Sequence, residues 1–289
     1  MTQGNINIRV ARPDDAEECG RICFKAFSTI NAAHGFPCDF PSVEVTADLL
    51  SRMFSRPDEF YCVVAEIDER IVGSNGLDER SAIRGVGPIT VDPEVQNFGV
   101  GRKLMQAVMK RAEEQSAPGV RLVQAAFHNR SLSLYSSLGF VVREPLTCMQ
   151  GRTRERAVAG CAVRPATAAD MDACSELARR VHGFDRAGQL SHAIELGRAL
   201  VVERDGRVTG YATDLAFFGH ATAEMNLDVQ ALIASVDSFG GPGILVPSRN
   251  AALMRWLLGS GLRVVQPMTL MSVGLYNEPA GAWLPSVTF

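Results

Sequence analysis

Apolar and polar positions along the first half form short blocks that read as strand and helix in turn. Asn5 to Val10 reads as a short strand, ended by Arg12-Pro13-Asp14-Asp15, which suits the first turn of a helix. The spacing beyond it predicts one helix to about Phe27 and another from about Ser42 to Phe54. Two β-rich runs, Tyr61 to Ile67 and Arg70 to Asn75, meet at Asp68-Glu69 as a hairpin. A third strand, Gly87 to Val91, leads into Pro93 and a glycine-bearing turn. Val100, Leu104, Ala107 and Val108 then recur at helical spacing, so a helix with one buried face begins there and Pro118-Gly119 ends it. Val120 to Phe127 is a strand, Ser131 to Leu138 a short helix, and Phe140 to Cys148 a last strand.

The second half repeats this order. Arg164-Pro165 parallels Arg12-Pro13, the hairpin from Glu203 to Gly210 parallels Glu66 to Gly73, and Gly261 to Val265 parallels Gly139 to Arg143. Self-similarity at about 140 residues indicates tandem domains and not a short-period solenoid. The division is expected at 1–150 and 160–289, across a polar, Arg-rich stretch from Gly151 to Gly160.

Composition narrows the class without choosing a function. The chain has 289 residues, too many for one typical core, and is 46% hydrophobic and 21% charged, as an ordinary globular protein is. A formal charge of -3 gives no general case for nucleic acid or a membrane surface, and is mildly compatible with a cationic substrate. No basic segment followed by an apolar run opens the sequence, and no stretch reaches the ~18 apolar residues of a membrane span. Seven cysteines without a C-x-x-C pair read as buried thiols in a reducing cytoplasm, and the five histidines show no metal-ligand spacing.

The chemistry is concentrated between Val91 and Arg102. There a strand gives way to a helix whose first amides lack intrahelical acceptors, and whose dipole favours an anion. Gly99 and Gly101 let a phosphate approach the backbone, with Arg102 and Lys103 adding charge at the rim. A pyrophosphate suits such a turn. The segment Gln96-Asn97-Phe98-Gly99-Val100-Gly101 resembles motif A of the GNAT N-acetyltransferases, Q/R-x-x-G-x-G/A. Asn129 to Phe140 similarly resembles the family's motif B, N-x-x-S/A-x-x-x-Y-x-x-x-G-F.

The resemblance covers residues 5 to 150 well and 160 to 275 loosely. It implies that acetyl-CoA is the cofactor and that the turn from Gln96 to Arg102 holds its pyrophosphate. It further implies that Ile89, Thr90 and Val91 offer backbone groups to the pantetheine arm, that Asn129 contacts the cofactor, and that Tyr135 protonates the departing thiolate. A tyrosine, with an unperturbed pKa of ~10, stays protonated at neutral pH and so can serve as that acid. The family reaction is direct attack of a neutral amine on the thioester, which leaves a base or a water path to be found. His34, Asp39, Asp78, Glu79 and Asp92 lie in segments that could face the acceptor, with His34 and Asp39 in an apolar loop from His34 to Phe40.

At the corresponding place in the second half, His220 to Gln230 has no G-x-G. Glu224 and Asp228 would repel a phosphate there, and the motif B counterpart from Arg249 to Leu258 has no tyrosine. This half is expected to have lost cofactor binding and to close over the acceptor or brace the first. Glu224, Asn226 and Asp228 become candidates for meeting a cationic acceptor, or else for capping a helix.

The fold class expected is α+β, two tandem GNAT-like domains, each a mixed, mostly antiparallel sheet flanked by helices. By resemblance the sheet splays at the fourth and fifth strands, with the thioester in the gap. The arrangement is similar to a two-domain subgroup that includes holothin acyltransferase and resembles capreomycin- and aminoglycoside-modifying acetyltransferases. The expected activity is N-acetylation of a small-molecule amine, with an aminoglycoside or peptide antibiotic preferred. Acylation of a metabolite amine or a protein lysine, and a non-catalytic acyl-CoA sensor, remain alternatives.

Overall fold

A computed structural model describes residues 5–288, and its elements follow the alternation of the sequence. The first half runs β1 (Asn7–Val10), α1 (Ala16–Ala33), α2 (Val43–Phe54), β2 (Phe60–Ile67), β3 (Arg70–Asp78), β4 (Ile83–Val86), β5 (Thr90–Val91), α3 (Val100–Glu114), β6 (Gly119–Ala125), α4 (Asn129–Ser137) and β7 (Val141–Gln150). The second runs β8 (Ala162–Pro165), α5 (Met171–His182), α6 (Ala187–Glu195), β9 (Leu200–Arg204), β10 (Arg207–Ala212), β11 (Ala221–Ala223), α7 (Asn226–Ala234), β12 (Ile244–Pro247), α8 (Ala251–Gly259), β13 (Arg263–Gly274) and β14 (Ala282–Leu284).

Local chemistry accounts for these boundaries. The β2–β3 turn places Asp68 and Glu69 at φ 49° and 64°, the positive pair that a two-residue hairpin of matching twist requires. In α3, Val100, Leu104, Met105 and Val108 are buried against β2 and β3, while Arg102 and Lys103 face out. The expected third strand is broken: β4 and β5 flank Gly87-Pro88, because proline has no N–H to give a ladder. No described helix is long and apolar enough to cross a membrane.

The internal repeat holds in three dimensions, but its register at the start differs from the proline match. Arg9 in β1 donates to Asp15 (2.6 Å) and Glu66 (2.8 Å), and Arg164 in β8 donates to Asp170 (2.7 Å) and Glu203 (2.6 Å). Arg164 is therefore the counterpart of Arg9 and not of Arg12. The conserved element of the repeat is an arginine joining a helix start to the second strand, which a comparison of prolines does not detect.

The sheets do not divide where the sequence repeat divides. One has the order β1-β2-β3-β4-β6-β13-β7-β12, with β5 also on β3, and the other has the order β14-β11-β10-β9-β8. All pairs are antiparallel except β4 with β6. β13 lies between β6 and β7, with Met268 opposite Ala125 and Gly274 opposite Gly119. β7 in turn lies between β13 and β12, where Ile244 faces Met149. The halves have thus exchanged their last long strands. The cores follow suit: Met271 of β13 is buried with Val120, Leu122 and Phe140, and Leu245 of β12 with Leu146 and Cys148 of β7.

Candidate active site

The parallel pair β4–β6 sets the site. Three residue pairs match, Ile83 with Gly119, Arg84 with Val120 and Gly85 with Arg121, and the pairing stops there. Beyond it the chain from Val86 to Val91 and the strand from Leu122 to Ala125 enclose a cavity of about 520 Å³, so the sheet does splay. On the far side β5 stays paired: Thr90 is opposite Ser74, and the Asp92 amide donates to the Val72 carbonyl at 2.8 Å. The alternation of an antiparallel ladder turns the amide and carbonyl of Val91 towards the gap. Gln96 Nε2 donates to that carbonyl at 3.2 Å, so the Gln96 side chain pins the turn to the strand.

At the mouth of the gap, α3 begins without a partner for its first amides. The first helical bond is from the Lys103 amide to the Gly99 carbonyl, 3.1 Å, which leaves those of Val100, Gly101 and Arg102 without intrahelical acceptors. Asn97 and Gly99 have φ of 77° and 89°, and nothing lies within 4 Å of where a Gly99 Cβ would stand. A turn of this kind converges its N–H groups on one anion. Arg102 is on the wall and donates to Ser137 Oγ at 2.7 Å, and Arg130 is on the wall as well.

Deeper in the gap are an acid and a carboxylate. Tyr135 on α4 is 6% exposed and on the cavity wall, packed near Phe140, and its hydroxyl makes no hydrogen bond among the described residues. Burial raises its pKa well above the ordinary phenol range, so it keeps its proton. Asp39, from the α1–α2 loop, is 5% exposed and on the same wall. Gln266 of the exchanged strand donates to Asp39 Oδ1 at 2.8 Å. Burial raises the Asp39 carboxyl above its usual range, and bonds from Gln266 and Asn31 only partly offset that. Nearby, Asn31 Oδ1 and Gln124 Nε2 are buried without a partner, both on residues of the wall.

Residues 28–140 match the sequence model of the Acetyltransferase (GNAT) family. The chain carries a GNAT acetyltransferase domain. No curated protein matches the chain. Among solved structures, a protein from Pyrococcus horikoshii assigned as an acetyltransferase is similar over 98% of this chain and 95% of its own, with TM-score 0.72 and 18% identity. A GCN5-related N-acetyltransferase from Sphaerobacter thermophilus is similar over 96% and 98%, with TM-score 0.63 and 15% identity. A tandem GNAT protein from the clavulanic acid biosynthesis pathway is similar over 93% and 98%, with TM-score 0.57 and 13% identity. At these identities the likeness shows the fold, and it extends over both halves.

A GNAT domain makes the chain an acyltransferase, and the family's acyl donor is acetyl-CoA. The residues present fit that donor: free amides over a Cβ-free floor suit its pyrophosphate, and the apolar, open-edged gap suits its pantetheine arm. Of the cofactor contacts expected from sequence, Ile89, Thr90, Val91, Gln96, Asn97, Gly99, Val100, Gly101 and Arg102 are on the cavity wall. Phe98 is 42% exposed and off the wall. Asn129 is exposed and off it too, its carbonyl accepting from Ser133 Oγ, while its neighbours His128, Arg130 and Ser131 are on it. In Gly99→Val, a branched side chain at positive φ stores strain and intrudes on the cradle. A penalty of about 1–3 kcal/mol on binding at the distorted cradle corresponds to a loss of about five- to 150-fold in coenzyme A affinity, measured by calorimetry, with circular dichroism unchanged.

The acceptor candidates scatter. Only Asp39 reaches the GNAT cavity. His34 is exposed, its ring 5.2 Å from that of Phe127 and its Nδ1 bonded to the Ile30 carbonyl. Asp78 is held by Arg80 at 2.6 Å and by Gln189, and lies on a neighbouring cavity. Glu79 is held by Arg111 and Gln115, and Asp92 by Lys25 and Arg70. Glu224 accepts from Arg180, Arg204 and Arg207. Asp228 is fully buried, taken by Arg204, Thr209 and the Met225 amide, and Asn226 bonds Asn250. These three stand at the start of α7, away from the cavity wall. Asn31, Gln124 and Gln266 were not singled out in the sequence, since no local motif marks them.

Proposed function

We propose that the chain N-acetylates a primary amine of a small molecule, with Asp39 as the base and Tyr135 as the acid. What supports this reading is one juxtaposition: cradle, buried carboxylate and buried phenol all line a single cavity. Bound there, acetyl-CoA supplies an activated acyl group. Asp39 takes a proton from the acceptor's ammonium, so the freed lone pair can form the new N–C bond as the C–S bond breaks. Tyr135 gives its proton to the sulfur, and the second proton that the nitrogen sheds as it becomes the amide passes through water to the phenolate. The products are an amide and a thiol, with Asp39 releasing its proton to water.

The finer expectation, an aminoglycoside or amine-bearing peptide antibiotic, rests on the subgroup resemblance alone. Mass spectrometry of an amine panel with acetyl-CoA tests it, using aminoglycosides, capreomycin, polyamines, amino acids and a lysine peptide. A gain of one acetyl group on any small amine supports the reaction, and acetylation of the peptide alone counts against it. Seven free thiols fit a reducing cytoplasm as its location.

Asp39→Asn is expected to lower kcat/KM by about 10²-fold or more. The base works deprotonated, so the wild-type rate rises with pH as Asp39 ionises, on a limb displaced above the usual carboxylate range. That limb is expected to vanish in the variant. Gln266 can turn its unpartnered Oε1 to the new amide, so the fold is kept. An unchanged acid limb in Asp39→Asn would place the base elsewhere.

A further inference from the structure

Beside the cofactor cavity is a second one of about 620 Å³, set between the two halves. Gly87, Pro88, Phe218 and Thr288 belong to both walls, so the two meet there. The first half contributes the end of α2, with Arg52 and Arg56, and the end of β3, with Asp78 and the following Arg80. The second half contributes His192 on α6, Arg198 in the α6–β9 turn, and Asp214 and His220 between β10 and β11. Among the described lining residues, four arginines face two aspartates.

Most of that charge is already committed. Arg80 grips Asp78 at 2.6 and 2.9 Å. Arg56 donates to Glu59 at 2.6 Å and to the His192 ring at 3.0 Å; burial and Arg56 lower the His192 pKa, which keeps the ring a neutral acceptor. His220 is buried and neutral, near Thr213 and the Tyr211 hydroxyl. Arg52 pairs with Asp48 where both are more than half exposed, a pair that water screens. Arg198 makes no ion pair among the described residues. Asp214 is also on the wall; burial raises its carboxyl, which a backbone bond from Leu215 and the charge of Arg198 only partly offset. Of the four lining arginines, Arg198 is thus the one with no carboxylate in ion-pair contact among the described residues, and its guanidinium can fork onto an anion.

We infer that this cavity receives an anionic end of the acceptor, a carboxylate or a phosphate, on Arg198. The amine end of the same molecule passes Pro88 and Phe218 to reach Asp39 in the first cavity. This rests on the proposed N-acetyltransferase reading and narrows it to amines that also carry a negative group.

The test is calorimetry on the full chain loaded with coenzyme A. The probes are ω-amino acids of increasing length, the amino alcohols of the same lengths, and the phosphate esters of those alcohols. Acids or esters are expected to bind about tenfold or more tighter than the alcohols, as a charge-assisted bond provides. Arg198→Ala removes that margin, Arg198→Lys restores part of it, and coenzyme A affinity stays unchanged in both. Arg198 is exposed, so neither substitution threatens the fold. Whichever of the acid and ester series binds tighter identifies the anion. Equal binding of anions and alcohols, or a margin that survives Arg198→Ala, overturns the inference. Acetyl transfer, followed separately by mass, judges the underlying reading. Anion-dependent binding with no transfer to any probe upholds the pocket and counts against the reaction.

Discussion

A chain cut at Gly160 is expected to lose both its fold and its affinity for coenzyme A. The cut keeps every motif that contacts the cradle, so a reading of two beads on a string predicts a working domain. The strand order predicts the opposite. Without β13, β6 presents a bare edge and β7 has no neighbour on either side, because β12 is lost as well. Met268, Leu270 and Met271 leave the cores they fill beside Ile83, Leu146 and Leu122. Truncating one such side chain typically costs about 2–5 kcal/mol, against about 5–15 kcal/mol for a whole domain. Removing all three, with the ladder that carries them, exceeds what the fragment can supply. The loss of Gln266 also releases Asp39. Circular dichroism and calorimetry with coenzyme A on residues 1–160 read the outcome, and addition of residues 161–289 in trans is expected to restore both signals. A soluble fragment that binds coenzyme A like the full chain would show that the exchanged strands are dispensable. The bare edge of β6 should also make the fragment prone to aggregate.

The exchange marks the boundary of what residue patterns alone can convey. Alternation along β7 and β13 states which face of each strand is buried, and that face is the same whichever strand lies beside it. Both strands were therefore legible as strands, β7 as the last of the first half, while their neighbours stayed invisible. The cradle was legible because its physics is local: a strand, two glycines and a helix start lie within a dozen residues. The hairpin at Asp68-Glu69 was legible for the same reason. Tyr135 came with a spaced motif, and its counterpart four residues before Gly261 is Leu257, wholly buried in the second core, so the absence of that acid in the second half was legible too. By contrast, Asp39 stood as one of several acids until Gln266, held 227 positions away, met it in space. Glu224 and Asp228 looked available because a sequence does not show the arginines that engage them. The wall of Arg52, Arg56, Arg80 and Arg198 draws on separate elements of both halves, and neither the net charge of -3 nor any local run reveals it.

Replacement of Tyr135 by phenylalanine is expected to reduce kcat by about 10²–10⁴ while leaving coenzyme A affinity and stability as they were. The three parts of that expectation have separate grounds. The hydroxyl makes no bond within the described chain, so removing it strands no buried donor or acceptor and costs the fold little. The ring keeps its place between Phe140 and the wall strand, so the shape of the gap survives. On the proposed reading, affinity for the coenzyme comes from the amides ahead of Lys103 and the Cβ-free turn at Gly99, neither of which the substitution touches. What disappears is a proton held ready in a dry site. Burial raises the Tyr135 pKa, so the wild type should show no alkaline decline from this group anywhere near neutrality. The variant should differ in the height of the pH profile and not in its shape. Single-turnover mass analysis separates chemistry from product release, and calorimetry reads the affinity on the same samples. Normal turnover in Tyr135→Phe would move the acid to another group on the wall. A wild type that binds coenzyme A tightly yet transfers to no amine, with the variant indistinguishable from it, would make the cavity a sensor of acyl-CoA, since a binding site has no use for that proton.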